Sequence, residues 1–317
     1  MIVLSTVKLP SDLKKQLENS HKGYRFYHDK RINEVTDLLP QADIILTYGE
    51  DLTAEHIKVA KNLKWVMVAS AGIEKLPFTE LEKRKIAVTN SKGVHAIPMA
   101  EYCLAMMLQI SRQTKALIEN EKKHEWSKRV KMEELYEKTV FILGTGAIGS
   151  AVAKLSQAFG MRVLGLNRDG RDVEQFDKIY AVEDMSLAIQ TADFIISVLP
   201  STEQTKGLIN YRTFNIMKNN AIFINIGRGD AVIEKDLIRA LDEKLISHAV
   251  LDVFDEEPLS NDHPFWEMNN VTITPHISGI TENYLPRAMR IFDSNLEFFS
   301  KGNLTSMKNI VSLQKRY

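Results

Sequence analysis

Three short loops of the sequence carry side chains that could bind an organic acid and move a proton. They contain Arg228, Glu257 and His276. An arginine offers a planar fork of N–H donors to a carboxylate. An imidazole gains or loses a proton near neutral pH, and a neighbouring carboxylate favours its charged form and fixes its orientation. The three side chains together therefore specify an anion binder, a carboxylate and a general acid around one crevice.

A glycine-rich loop, Gly144-Thr-Gly-Ala-Ile-Gly149, follows the apolar run Thr139–Leu143 and precedes a helical pattern. The first glycine permits a tight turn, the second lets the backbone approach a pyrophosphate, and the third lets helix and strand pack closely. The N-terminus of the helix offers free N–H groups to the phosphates. This context predicts dinucleotide binding by Gly144, Thr145, Gly146, Ala147, Ile148 and Gly149.

The choice between NAD and NADP depends on the residues that follow the next predicted strand, residues 162–166. An acid there would accept hydrogen bonds from the ribose 2′-hydroxyl of NAD and repel a 2′-phosphate. The chain instead has Asn167 and Arg168, so we expect NADP to be used at least as well as NAD. Asp169 leaves the alternative open, because a shift of the loop would let it replace the missing acid.

The elements that must position these loops alternate between short Val- and Ile-rich runs and longer amphipathic stretches. This alternation predicts an α/β fold with doubly wound parallel sheets, the alternative being a mixed α+β layer. All three chemical loops follow predicted strands, where ligands bind in such sheets. The predicted strands are residues 2–4, 43–47, 63–69 and 86–89, then 139–143, 162–166, 193–199, 221–226, 247–253 and 271–274.

One long helical stretch over residues 95–128 connects the four strands of residues 2–89 to the six strands of residues 139–274. A last helix over 281–299 could return to cover the first group of strands. We therefore expect one domain inserted into another rather than two in succession. Residues 1–97 and 280–317 would form the outer domain, and residues 98–279 the inserted nucleotide-binding domain.

Composition excludes several classes of protein. The 317 residues contain 41 Lys and Arg against 41 Asp and Glu, so no general basic surface for nucleic acid or an anionic membrane is expected. The single cysteine, Cys103, excludes an intramolecular disulfide and a multi-cysteine zinc site. No metal site, signal peptide or transmembrane run is predicted, which makes the cytoplasm the expected location.

The motifs taken together resemble the D-isomer-specific 2-hydroxyacid dehydrogenase family over nearly the whole chain. The features that carry this resemblance are GTGAIG from Gly144, LPSTEQTKGLI from Leu199, MKNNAIFINIGRGDAV from Met217, LDVFDEEPL from Leu251, HPFW from His263 and TPHISG from Thr274. The resemblance implies two Rossmann-like domains, the nucleotide-binding one inserted into a flavodoxin-like substrate domain, and a homodimer formed through the cofactor domain.

The resemblance also implies roles for particular residues. Arg228, Glu257 and His276 correspond to the family's catalytic Arg, Glu and His, and Asp252 to the residue that meets the nicotinamide carboxamide. The segment Ser70, Ala71, Gly72 and Ile73 resembles the loop whose backbone N–H groups hold the substrate carboxylate. Further cofactor contacts are expected at Leu199, Pro200, Ile226, Gly227 and Gly279.

The implied reaction is hydride transfer between NAD(P)H and a small 2-keto or 2-hydroxy acid, with glyoxylate and hydroxypyruvate as candidate substrates. His276 would supply the proton to the carbonyl oxygen. The alternatives are a 3-phosphoglycerate dehydrogenase and a non-catalytic, dinucleotide-sensing protein similar to the family's corepressors. A formate dehydrogenase is disfavoured, because those members have Gln where Glu257 stands.

Four further residues are interpreted individually. Gly227 replaces a small side chain and is expected to add loop freedom. His95 could line the substrate cleft or face solvent, and Trp266 could cover the site or only pack. Cys103 is expected to be a small buried side chain rather than a nucleophile.

Overall fold

A computed structural model describes residues 1–29 and 31–314. The chain divides into two compact units. Unit 1 contains Met1–Val94 and the chain from Thr281 onward, and unit 2 contains His95–Ile280.

Both units alternate strands and helices. The strands are β1 Ile2–Ser5, β2 Arg25–His28, β3 Ile44–Thr47, β4 Trp65–Val68, β5 Ala87–Asn90, β6 Thr139–Leu143, β7 Arg162–Leu166, β8 Lys178–Tyr180, β9 Phe194–Ser197, β10 Ile222–Asn225, β11 His248–Leu251 and β12 Val271–Ile273. The helices are α1 Ser11–Ser20, α2 Ala54–Val59, α3 Phe78–Lys83, α4 Ala96–Ser111, α5 Thr114–Lys122, α6 Ala147–Ala158, α7 Met185–Ile189, α8 Tyr211–Asn215, α9 Glu234–Asp242 and α10 Tyr284–Ser300.

Unit 1 has a parallel five-stranded sheet in the order β2-β1-β3-β4-β5. This is the flavodoxin-like order, which confirms the predicted fold class. Four strands are buried as the apolar runs predict. The edge strand β2 was not predicted, because its residues Arg25–His28 are polar or aromatic and only partly buried.

Unit 2 has a parallel seven-stranded sheet in the order β12-β11-β10-β9-β6-β7-β8. The strand order reverses between β6 and β9, so the glycine-rich loop leaves the sheet at the point where dinucleotides bind in such folds. The six predicted strands are present. The seventh, β8, has three residues and was not predicted.

The prediction of one helix over residues 95–128 is wrong. The chain leaves α4 at Ser111, and Gln113 adopts a left-handed conformation with φ of 54° before α5 begins. The side chain of Gln113 donates to the Ile110 carbonyl at 3.1 Å, which stabilises the turn. Helical structure ends at Lys122.

The last helix, α10, packs on one face of the sheet in unit 1. Its Phe292 ring stacks on Trp65 of β4 with centroids 5.2 Å apart, and Leu296 is fully buried in the same cluster. The opposite face is covered by α2 and α3. No helix in the described part of the chain is long and apolar enough to cross a membrane.

Candidate active site

The three loops predicted to do chemistry leave neighbouring strands of unit 2. β10, β11 and β12 are adjacent and parallel, so the loops that follow them emerge at the same edge of the sheet. Arg228 follows β10, Glu257 follows β11 and His276 follows β12.

The structure places Glu257 and His276 in direct contact. Glu257 Oε2 lies 2.8 Å from His276 Nδ1, while its other oxygen, Oε1, accepts the Phe254 N–H at 3.1 Å. The Glu257 side chain is therefore fixed at both oxygens. The His276 ring keeps Nε2 without an acceptor or donor among the described residues, so this nitrogen can face a ligand.

The surroundings of Glu257 keep its carboxyl group ionised. Burial raises its pKa, but the hydrogen bond with His276, the bond from Phe254 and the charges of His276 and Arg228 act against it. Their sum lowers the Glu257 pKa below its ordinary value. A charged carboxylate thus stands behind the imidazole at neutral pH.

Asp252 holds the loop that carries His276. Its carboxylate is fully buried and accepts the Ile277 and Ser278 N–H groups at 2.9 and 3.0 Å and the Thr274 hydroxyl at 2.5 Å. The Asp252 carbonyl also accepts the His276 N–H at 2.9 Å. Asp252 therefore determines where His276 stands, and its predicted contact with nicotinamide stays a prediction.

The loop of Arg228 is braced by Asn225, which the sequence analysis did not single out. The Asn225 amide donates to the Arg228 carbonyl at 3.0 Å, and its Oδ1 accepts the Gly227 N–H at 3.2 Å. The Arg228 side chain is exposed, and one guanidinium nitrogen donates to the Gly227 carbonyl at 2.7 Å. The remaining guanidinium donors have no acceptor among the described residues.

Gly227 does not act by adding loop freedom, as the sequence analysis expected. A Cβ built on Gly227 would lie 2.5 Å from the Leu199 carbonyl oxygen and 2.7 Å from the Leu199 nitrogen. A Cβ on Gly229 would overlap the Phe254 backbone. The two glycines let the Arg228 loop pack directly against the loops that follow β9 and β11.

A second group that the sequence analysis missed lies behind Asp252. The Tyr102 hydroxyl on α4 is 2.7 Å from the Thr274 hydroxyl. Since Thr274 donates its only proton to Asp252, Tyr102 must donate to Thr274. Burial raises the Tyr102 pKa, which keeps the phenol protonated. Tyr102 lies in an apolar helical pattern and so carried no signal of this contact.

The glycine-rich loop fits a pyrophosphate. Gly144 has φ of 108°, and a Cβ on Gly149 would overlap the Gly144 carbonyl, so both positions require glycine. A Cβ on Gly146 would meet nothing within 4 Å, which leaves open space at the N-terminus of α6. In the described chain, the N–H groups of Gly146, Ala147 and Ile148 have no protein acceptor.

Asn167 lies beside this loop with one polar atom unsatisfied. Its amide nitrogen donates to Thr145 Oγ1 at 3.2 Å and to the Arg171 carbonyl at 2.8 Å, while Oδ1 is buried without a partner. A ribose hydroxyl could donate to that oxygen. Arg168 is exposed and makes no ion pair with any described residue, and Asp169 is fixed by backbone pairing with Ala181.

The other predicted cofactor residues lie on the same edge of the sheet in unit 2. Leu199 and Ile226 are buried, whereas Pro200 is exposed and its carbonyl accepts the Thr205 hydroxyl at 2.6 Å. The Gly279 carbonyl lies 3.3 Å from His95 Nδ1. His95 is thus half-buried against the loop that ends the site.

The predicted substrate loop belongs to unit 1, directly after β4. Ser70 and Ala71 are half-buried, Gly72 is exposed and Ile73 is buried. The Ser70 hydroxyl donates to the Gly72 carbonyl at 2.8 Å, which keeps the loop compact.

Two remaining residues have defined surroundings. Trp266 is 49% exposed, and its indole N–H donates to the Ser260 carbonyl at 2.8 Å. Cys103 is fully buried, and burial raises the pKa of its thiol, which agrees with a packing role.

The described residues include no group of three or more His, Cys, Asp or Glu placed to hold a metal ion.

Comparisons with known proteins show which family this chain belongs to. The sequence profile of the D-isomer specific 2-hydroxyacid dehydrogenase NAD binding domain matches residues 104–278. Glyoxylate/hydroxypyruvate reductase B of Klebsiella pneumoniae is 31% identical over 282 residues, which are 86% of this chain and 87% of that protein. The D-3-phosphoglycerate dehydrogenase of Methanocaldococcus jannaschii is 32% identical over 283 residues, 88% of this chain and 53% of that protein.

A similar solved structure carries a bound dinucleotide. The NADPH-dependent glyoxylate/hydroxypyruvate reductase of Sinorhizobium meliloti, in complex with NADP and sulfate, superposes with a TM-score of 0.79. The two chains are 25% identical, and the alignment covers 100% of this chain and 99% of that one.

Proposed function

Since the chain belongs to the D-isomer specific 2-hydroxyacid dehydrogenase family and is an NAD(P)-dependent oxidoreductase, we propose that it reduces glyoxylate or hydroxypyruvate to the D-2-hydroxy acid. The observation that carries this proposal is the 2.8 Å contact between Glu257 and His276, beside the unpaired donors of Arg228. Relatives named as glyoxylate/hydroxypyruvate reductases support the substrate class.

In this proposal each group of the site has an assigned role. Bound NAD(P)H supplies the hydride to the carbonyl carbon. His276 Nε2 delivers the proton to the carbonyl oxygen, because Nδ1 is occupied by Glu257. Arg228 binds the carboxylate and the carbonyl oxygen, where negative charge develops. The N–H groups of Ser70–Ile73 hold the carboxylate.

We assign the substrate domain to residues 1–97 and 280–317, and the NAD(P)-binding domain to residues 98–279. The flavodoxin-like strand order of unit 1 and the glycine-rich loop of unit 2 support this assignment. A cytoplasmic location is also proposed, since the one cysteine, Cys103, is a free thiol. The proposed assembly is a homodimer, supported by the exposed apolar side chains of unit 2, among them Trp126.

Steady-state oxidation of NADPH and NADH with a panel of 2-keto acids tests the function. We expect turnover with glyoxylate or hydroxypyruvate. Turnover of pyruvate or longer keto acids alone would refute the proposed substrate. Tight NADPH binding without turnover of any keto acid would favour a dinucleotide sensor instead.

A 3-phosphoglycerate dehydrogenase is the second candidate. The Methanocaldococcus relative supports it, and so does Lys92, an exposed cation after β5 that makes no ion pair with any described residue. Including 3-phosphohydroxypyruvate in the panel separates the two. A kcat/KM for this phosphorylated keto acid above that for hydroxypyruvate would favour the second candidate.

The assigned roles predict large losses in three variants. His276→Ala and Arg228→Ala should each lower kcat/KM by at least about a hundredfold, the range typical of positioned proton donors and electrostatic groups. Glu257→Gln should lower it by about tenfold or more, because the imidazole loses its charged partner. Glu256→Gln removes a neighbouring exposed carboxylate and is the matched control. Near wild-type turnover by His276→Ala would remove His276 from the mechanism.

A further inference from the structure

The loop Ser70–Ile73 has an unusual distribution of hydrogen bonds. Four successive carbonyl groups, from Ala69 to Gly72, each accept one. The donors are the Tyr284 hydroxyl to Ala69 at 2.6 Å, the Ser91 N–H to Ser70 at 3.0 Å, the Asn90 amide to Ala71 at 2.8 Å and the Ser70 hydroxyl to Gly72 at 2.8 Å.

The N–H groups of the same peptides are left without partners. In the part of the chain that the structure describes, no N–H of residues 70–73 donates to a protein acceptor. In a trans peptide the C=O and the following N–H point in opposite directions. Fixing the carbonyls of Ala69–Gly72 therefore fixes the direction of four free N–H groups.

We propose that Tyr284 and Asn90 are positioning residues, which fix the carbonyls of this loop so that its N–H groups are pre-arranged to hold the substrate carboxylate. The inference rests on the proposed function of the loop and adds the side chains that make it work. Tyr284 comes from α10 and Asn90 from the end of β5, so two separate elements of unit 1 converge on one loop.

Both donors are themselves constrained. Burial, followed by the charge of Tyr48, raises the Tyr284 pKa to about 12, so the phenol keeps its proton. The backbone N–H of Asn90 donates to the Asn309 carbonyl at 3.2 Å, and the Asn309 amide donates to the Asn90 carbonyl at 3.1 Å. The loop is thus held from behind by groups that have little freedom to move.

The contribution of Tyr284 can be separated from a general structural role. In Tyr284→Phe the ring remains and the hydrogen bond from the hydroxyl to the Ala69 carbonyl is lost. Loosening the loop should raise the KM for glyoxylate and the Kd of oxamate, a keto-acid analogue, by about three- to tenfold, the effect of one net hydrogen bond. The kcat and the Kd of NADPH should stay within about twofold, because unit 2 is unchanged.

Tyr27→Phe is the matched control, since it removes a hydroxyl from the edge strand β2 of unit 1 and should change neither constant. Asn90→Asp is the second variant: it replaces the donor to Ala71 by an acceptor and should raise both constants as well. Oxamate binding is measured by calorimetry on the NADPH-saturated protein, and stability by thermal unfolding.

The outcomes are distinguishable. Unchanged oxamate Kd and KM in both variants, with an active wild type, would overturn the inference alone. A loss of NADPH affinity and Tm in parallel with KM would also overturn it, since the tyrosine would then be only a structural anchor. A wild-type protein that binds NADPH but neither reduces keto acids nor binds oxamate would overturn the inference together with the proposed function.

Discussion

His276 combines a strained backbone with a well-placed side chain. Its φ of 53° lies in the left-handed region, which non-glycine residues adopt at a cost of about 1–3 kcal/mol. The backbone N–H groups of residues 276–278 donate to oxygens of Asp252, and these bonds offset this cost. The ring is consequently held against Glu257 before any substrate arrives.

The sequence indicated the residues that could do chemistry, but not the residues that hold them in place. Arg228, Glu257 and His276 were recognisable because each follows a strand and has a side chain suited to acid–base or anion chemistry. Asn225, Thr274 and Tyr102 were not, because their value depends on which atom each one reaches. Gly227 was misread for the same reason: only the nearby Leu199 backbone shows why a side chain is excluded.

The residues after β7 predict which dinucleotide the protein prefers. Arg168 is an unpaired cation beside Asn167, so Arg168→Ala should lower kcat/KM for NADPH by about tenfold or more, the contribution of a charge-assisted hydrogen bond. The value for NADH should change little. Arg171→Ala, a nearby exposed cation, is the comparison. A wild-type preference for NAD of about tenfold would contradict the expected use of NADP.

Helices and strands with strong apolar periodicity were predicted correctly, whereas those with weak periodicity were missed. The buried central strands were found, whereas β2 and β8 lie at sheet edges and lack a full apolar face. The break between α4 and α5 also escaped prediction. Helical spacing continues through residues 112 and 113, and only the left-handed Gln113 ends it.

A half-buried histidine, His248, connects α5 to the last two strands of unit 2. The Thr272 hydroxyl lies 2.9 Å from His248 Nε2 and accepts from Lys115 Nζ at 3.0 Å. Burial, and then the charge of Lys115, lower the pKa of His248 from 6.5 to about 4. The folded protein therefore holds this imidazole neutral.

Stability should fall as the pH is lowered through this range. Between pH 6.5 and about 4 the unfolded chain binds a proton at His248 and the folded chain does not. The full shift corresponds to roughly 3 kcal/mol. Urea unfolding at pH 7 and pH 5 measures the effect, and His248→Gln should flatten the pH dependence. An unchanged slope in this variant would mean that other groups control acid stability.

For the whole molecule, a net charge of zero does not show where the individual cations lie. The chain carries equal numbers of acidic and basic residues, yet Arg168 and Arg228 both lie on loops at the cofactor edge of unit 2. The total charge argued against a general binder of nucleic acid or anionic membranes. The positions of individual cations support the proposed anionic ligands. Substrate identity could not be predicted, because it depends on side chains of unit 1 that no motif marks.

The proposed dimer is a prediction for the intact protein. Trp126 is 95% exposed, and Ile118 and Tyr136 of the same unit are 44% and 63% exposed, so a dimer formed through unit 2 would cover apolar side chains. Light scattering after size-exclusion chromatography should give twice the chain mass of 36.1 kDa. Trp126→Glu should shift the protein toward the monomer, whereas Leu187→Glu, at an exposed site on α7, should not. A monomeric wild type would refute the dimer.

The return of α10 to unit 1 also affects the order in which the protein can fold during synthesis. Unit 2 is continuous in sequence and can fold once it leaves the ribosome. The sheet of unit 1 is made first, but the face that carries Trp65 and Met67 lacks its cover from α10 until Phe292 and Leu296 have been translated. A nascent chain thus displays this apolar face throughout the synthesis of unit 2, and it is there that chaperones would be expected to bind.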